Sequence, residues 1–222
     1  MTAAIETLDA IGATYAVLSK AFGYPNDELW AQLEGRTVSE LSGDVVDDDA
    51  DGLDRDYVFP VRSQDERASI YLSLFEVGEM PLYEGSFRPR DGRDGIQEEL
   101  LRFYHYFAVR LSERNRDFPD HVVTELEFMM HLVGLEAAAL KAGRDPTSFR
   151  LAQRDFLDRH VLVWATEMKK RRFGDDRGVY STLASWLGAF TRVHREVVGD
   201  ALAEVGAVDE RPIGDTNLER GD

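Results

Sequence analysis

Residues 118–141, FPDHVVTELEFMMHLVGLEAAALK, decide the fold class. Val123, Leu126, Met130, Val133, Ala137 and Leu140 recur at steps of three and four, the spacing that aligns one face of an α-helix. The same period returns on both sides. Upstream, Ile5, Leu8, Ile11, Tyr15, Leu18 and Phe22 mark a helix over residues 3–22, closed by Gly23-Tyr24-Pro25. Shorter helices are predicted over 27–34 and over 66–77, the latter with Ile70, Leu74 and Val77 on one side. Ile96, Leu100, Phe103, Phe107 and Leu111 mark the helix that precedes the quoted stretch. Downstream, Phe149, Ala152, Phe156, Leu157, Val161, Trp164 and Met168 form one stripe, and Val179, Leu183, Trp186, Phe190, Val193 and Val197 another. Asp145-Pro146 starts the first of these with a capping carboxylate before a first-turn proline. Each stripe must be buried against a neighbour, and no run alternates as a strand would. The expectation is an all-α protein, a single helical-bundle domain over residues 1–205.

Three segments lack this period. Residues 42–63, acidic and marked by glycine and proline, read as a surface loop. Asp47, Asp48, Asp49, Asp51 and Asp54 lie in it, but without the positions and closing glutamate of a calcium loop, so it reads as solvated. Residues 78–95, GEMPLYEGSFRPRDGRDG, read as an ordered loop, and residues 206–222 as a polar, disordered tail.

Composition narrows the function classes. Cysteine is absent, which removes disulfides, thiolate metal sites and cysteine nucleophiles. The net charge is −16, from 42 acidic and 26 basic residues, and only Lys20, Lys141, Lys169 and Lys170 are lysines. Such a surface repels nucleic acid. It suits either solubility in a salt-rich, halophilic cytosol or attraction to a basic peptide. The N-terminus does not read as a secretory signal, and no apolar run approaches the ~20 residues of a membrane span, so the cytoplasm is the expected location.

Little in the chain points to catalysis. His121 with Glu125 and Glu127 with His131 each lie four apart, but the two pairs are offset by about 200° around a helix and do not converge on a metal. A metal-dependent helical-bundle enzyme built on these four residues, and an adaptor docking a partner helix at Met129 and Met130, are the alternatives to a binding protein of another kind. His160 and His194 fall beside apolar stripes and read as core histidines; no nucleotide or nucleophile motif appears, and no metal or cofactor is predicted. Two segments are richer than a plain bundle needs: Tyr71-Leu-Ser-Leu-Phe-Glu-Val-Gly78 with Met80-Pro-Leu-Tyr-Glu-Gly85, and residues 118–129. Aromatics, a proline and carboxylates near a helix end suit either a peptide carrying apolar and arginine side chains or core packing with helix caps.

These segments resemble the TorD/DmsD/NarJ family of molybdoenzyme chaperones. The likeness rests on Tyr71, Leu74, Phe75, Gly78, Pro81, Tyr83 and Glu84, then on Pro119, Asp120, His121, Glu125, Leu126, Phe128 and Met129, with Phe156-Leu-Asp-Arg-His160, Trp164 and an N-terminal Tyr15-x-x-Leu18-Ser19…Phe22-x-x-Pro25. Pro-Leu-Tyr-Glu and Glu-Leu-Glu-Phe-Met look closer to the branch serving nitrate reductase-like and dimethyl-sulfide dehydrogenase-like enzymes, and residues 44–62 look like an insertion. The resemblance implies an all-helical chaperone, not an enzyme, acting as a monomer or homodimer. Its partner would be the apo catalytic subunit of a molybdopterin oxidoreductase, held by a twin-arginine leader or N-terminal segment until its cofactor is inserted during anaerobic respiration. By this carry-over the peptide-binding residues are Tyr71, Leu74, Phe75, Pro81, Tyr83, Glu84, Asp120 and His121, with Asp120 pairing a leader arginine and His121 bonding beside it. No tight nucleotide site is expected.

Overall fold

Several helix starts along this chain are set by short polar side chains. Asn26 caps α2 (Asp27–Leu33) by accepting from Leu29 N at 2.9 Å. Thr37 with Glu40, and Ser63 with Glu66, form reciprocal capping boxes at α3 (Val38–Ser42) and α4 (Gln64–Tyr71). Asp145 accepts from Thr147 N at 2.9 Å and from its hydroxyl at 2.6 Å, but Pro146, expected in the first turn, is itself the residue at the cap position of α8 (Thr147–Phe156). The remaining helices are α1 (Thr2–Ala21), α5 (Glu84–Phe87), α6 (Arg93–Tyr106), α7 (Val122–Lys141), α9 (Leu162–Lys170) and α10 (Val179–Asp209). Two π turns, Leu72–Glu76 and Leu157–Val161, continue α4 and join α8 to α9. This computed structural model describes residues 2–46, 52–78, 80–88, 92–111, 118–171 and 178–209. Among them there is no strand, only two isolated bridges, and no helix long and apolar enough to cross a membrane. The all-α class is the one the periodicity predicts.

α7 lies between α1 and α8, and α10 packs on α9, α8 and α1. Leu8, Ile11, Tyr15, Leu18 and Phe22 of the first stripe are all buried. On α7 the buried face is Val122, Glu125, Leu126, Phe128, Met129, Leu132, Val133, Glu136, Ala137 and Ala139. It is wider than the single predicted stripe and turned from it, because α7 has neighbours on two sides: Met129 is buried and Met130 is 37% exposed. α4 differs similarly. Its inward residues are Arg67, Tyr71 and Phe75, whereas Val77 is 86% exposed. Arg67 crosses from α4 to the carboxylates of Asp27 and Glu34, fastening α2 to α4.

The segment read as a surface loop is partly anchored. Gly35 N donates to Phe59 O at 2.8 Å, Phe59 N to Arg36 O at 3.0 Å, and Thr37 bridges Val58. Val46 and Phe59 are buried as core residues. Asp47, Asp48, Asp49 and Asp51 lie outside the described residues. α10 runs through Asp209, past the break predicted at Gly206, and residues 210–222 lie outside the described residues.

His194 is a core histidine, as predicted. Its Nδ1 is 2.8 Å from the Tyr15 hydroxyl and its Nε2 is 3.0 Å from Gln153 Oε1, which ties α1, α8 and α10 together. Burial pushes its pKa down to about 3. The unfolded chain takes up that proton near pH 6.5, so the stability is fully present above that pH and is lost as the pH falls towards 3. The expected slope from this one group reaches about 1.4 kcal/mol per pH unit. Urea unfolding at pH 6.5 and pH 4.5 should show a smaller acid-induced loss for His194→Gln than for the native chain.

Candidate functional site

Two loops far apart in sequence meet and launch two helices. Tyr83 bridges His121 in antiparallel fashion, Glu84 N donates to Asp120 O at 2.7 Å, and Val122 N donates to Leu82 O at 2.9 Å. Tyr83 is the cap residue of α5 and His121 that of α7, where His121 Nδ1 accepts from Val123 N at 3.2 Å. From α6, the Tyr104 hydroxyl donates to Pro119 O at 2.9 Å and holds the turn before Asp120.

On the outer side lies a guanidinium between rings. Asp120 is fully buried. Its Oδ2 accepts from Arg93 Nε at 3.1 Å and Gly85 N at 3.3 Å, and its Oδ1 from Gln97 Nε2 at 2.8 Å and Arg93 Nη2 at 3.3 Å. The Arg93 guanidinium stands 4.8 Å from the Tyr83 ring centre and 4.5 Å from that of Phe118, within cation–π range. Arg93 is 43% exposed and Phe118 51%, so the stack faces solvent while the charge beneath it does not. Residue 85 is glycine for a steric reason: a Cβ there would sit 2.9 Å from Arg93 Cγ and 3.2 Å from Asp120 Oδ2.

On the inner side, three more ionisable groups are fully buried: Glu84, Glu125 and His160. Glu84 Oε1 pairs with Arg88, and Glu84 Oε2 lies 2.9 Å from His160 Nδ1. Trp164 Nε1 donates to Glu125 Oε2 at 2.8 Å. Burial holds the Glu125 carboxyl well above the usual range; the neighbouring Glu84 charge adds to this and the Trp164 N–H opposes it. The π turn at Leu157–Val161 carries His160 to this position, and Phe103 and Phe156 pack on its ring at 5.7 and 4.9 Å.

The predicted site residues are therefore divided. Tyr83 and His121 sit at the surface junction, and Pro81 is half-buried beside it. Glu84 and Asp120 belong to the same junction but point inward. Tyr71 and Phe75 pack instead among Tyr24, Trp30 and Tyr180, with Phe75 4.8 Å from Tyr180, and Leu74 is half-buried beside them. An alanine Cβ at residue 78 would come within 2.5 Å of Leu74 O and Ser73 O, so glycine is what lets the chain leave this π turn. Sequence reasoning missed Arg93, Gln97 and Arg88, which lie in or next to a segment read as loop. It placed Glu125 with His121, whereas Glu125 faces the core, His121 caps the helix and Glu127 is exposed.

The scaffold thus opens two helices from one bridged pair of loops, with an aromatic–guanidinium surface above buried carboxylates. A sequence model of the family described as "Nitrate reductase delta subunit" matches residues 28–170. The chain is 37% identical over 210 residues to the selenate reductase assembly chaperone protein of Thauera selenatis, covering 93% of this chain and 98% of that one. It is 36% identical over 204 residues to the chlorate reductase assembly chaperone protein of Ideonella dechloratans, covering 90% and 95%. With the perchlorate reductase assembly chaperone protein of Dechloromonas aromatica the identity is 29% over 178 residues, 73% and 79% of the two chains. The chain belongs to the nitrate reductase delta subunit family of NarJ- and TorD-like chaperones, and it is not an enzyme.

Each of the four hydrogen bonds given above for Asp120 comes to it from a donor, so an amide in its place would set an NH2 against an N–H. Asp120→Asn is expected to cost roughly 2–4 kcal/mol of folding stability, read from urea midpoints, while Glu127→Asn, at an exposed position, should cost under about 0.5 kcal/mol.

Proposed function

We propose that this chaperone serves the catalytic subunit of a molybdopterin oxidoreductase of the selenate- and chlorate-reductase kind, acting in the cytoplasm. It holds the subunit's leader or N-terminal segment until the cofactor is inserted, before assembly or export. The relatives' names support the client class, and the net charge of −16 favours encounter with a basic segment.

The observation that carries the reading is the Arg93 stack. Tyr83, Phe118 and Asp120 offer a slot of the right shape, polarity and charge for a guanidinium, and the chain's own arginine fills it. A client arginine entering the slot exchanges one guanidinium for another. Asp120 stays neutralised throughout, so the swap costs little electrostatically, and apolar residues flanking the client arginine gain the exposed face of Phe118. Asp120 thus acts from below, through a slot whose walls are aromatic, and His121 flanks the entrance 5.1 Å from the Tyr83 ring.

Affinity purification of the tagged chain from its own cells is expected to recover a cofactor-poor oxidoreductase catalytic subunit. With the N-terminal peptide of that subunit, calorimetry should show about tenfold weaker binding for Phe118→Ala and tighter binding for Arg93→Gln, which vacates the slot. Unchanged affinity in both variants would place the peptide elsewhere.

A further inference from the structure

We infer that Glu84, Glu125 and His160 form a binding site for one divalent first-row transition cation. The three side chains come from α5, α7 and the π turn between α8 and α9, and one ligand atom of each lies within 4.8 Å of the other two. All three are fully buried.

The pattern of hydrogen bonds supports a cation at the centre. Each carboxylate has one oxygen tied outward by a donor: Glu84 Oε1 by Arg88 and Glu125 Oε2 by Trp164 Nε1 at 2.8 Å. Of the other two oxygens, Glu84 Oε2 faces His160 Nδ1 at 2.9 Å and Glu125 Oε1 faces the centre. Among the described residues Glu125 Oε1 has no hydrogen-bond partner, although it is completely shielded from water. Two buried carboxylates that face each other beside one imidazole nitrogen need positive charge between them, either a proton or a metal ion. A shared proton requires only the two carboxyl groups, whereas here an imidazole converges as well. The 2.9 Å from Glu84 Oε2 to His160 Nδ1 is close to the edge of about 3.0 Å between neighbouring ligands at metal bonds of about 2.1 Å.

If Nδ1 binds the ion, Nε2 carries the proton and faces the carboxylate of Glu99, whose Oε1 is 3.7 Å away, beyond hydrogen-bond distance. Two oxygens and one imidazole nitrogen, with no sulfur, suit Mn2+, Fe2+ or Zn2+. A cleft of about 500 Å³ between α6 and α8 is lined by Glu99, Phe103 and Arg159, and Phe103 packs on the His160 ring. An ion there clamps Glu84, the residue after Tyr83, to α7 and to the π turn, and so stiffens the surface junction from behind.

The test uses the full chain, freed of metal with EDTA and dialysed, with Mn2+ added in excess Mg2+ to saturate weak surface carboxylates. Free Mn2+ is followed by electron paramagnetic resonance. One saturable Mn2+ per chain is expected, with a rise in melting temperature. Glu125→Gln, which conserves volume, should weaken binding at least tenfold, as should His160→Gln, and the exposed control Glu127→Gln should not. Circular dichroism establishes which variants fold, and either site variant suffices. Absence of saturable binding of both Mn2+ and Zn2+, or undiminished binding in the folded site variants, would overturn the assignment and leave a shared proton between the carboxyls.

Discussion

Three carboxylates, those of Glu84, Asp120 and Glu125, are shielded from water within one junction, and each has to be compensated by the chain around it. Asp120 takes its compensation from the surface side, through Arg93, Gln97 and the Gly85 amide. Glu84 takes it from Arg88 and His160, and Glu125 from the Trp164 indole. These partners come from α5 and the residue after it, α6, α9 and the π turn at Leu157–Val161, so satisfying the charges also fixes where those elements sit. A bundle held only by apolar stripes can slide by a turn with modest loss; one in which a fully buried carboxylate must meet a named donor cannot.

The same arrangement places a rigid floor under a soft surface. Phe118 and Arg93 are about half exposed and the backbone beneath them is bridged, capped and packed. Recognition surfaces work well when the anchor rings are preorganised, because less freedom is lost when a ligand arrives. The junction supplies that here by using backbone hydrogen bonds between two loops whose side chains then face in opposite directions: Tyr83 and His121 outward, Glu84 and Asp120 inward. Alternation along an extended segment is what separates the two roles.

This separation explains what was legible in the sequence. Apolar stripes were readable because helix period is local, and Leu8, Ile11, Tyr15 and Leu18 are buried where the period puts them. On α7 the period put Met130 in the buried stripe, whereas Met129 is buried and Met130 is exposed, since a helix with neighbours on two sides buries more than one stripe. The segments around residues 83 and 120 stood out by composition, but composition does not say which way a carboxylate points. Asp120 after a proline reads as a solvent-facing cap; its partner Arg93 lies 27 residues away in what reads as loop. His160 reaches Glu84 across 76 residues. Such pairings leave no periodic trace, and only the folded chain brings them together.

The π turn at Leu157–Val161 has a further consequence for the register of the rod formed by α8 and α9. A π turn accommodates one residue more than the α-helix it interrupts, and one residue is worth about 100° of rotation. Removing a single residue there would let the rod close into continuous α-helix, but Trp164 and Met168 would then swing away from the sites that Gln153 and Phe156 define upstream. The two halves of the rod are thus phased by a surplus residue, and the same turn that sets this phase carries His160 inward to Glu84.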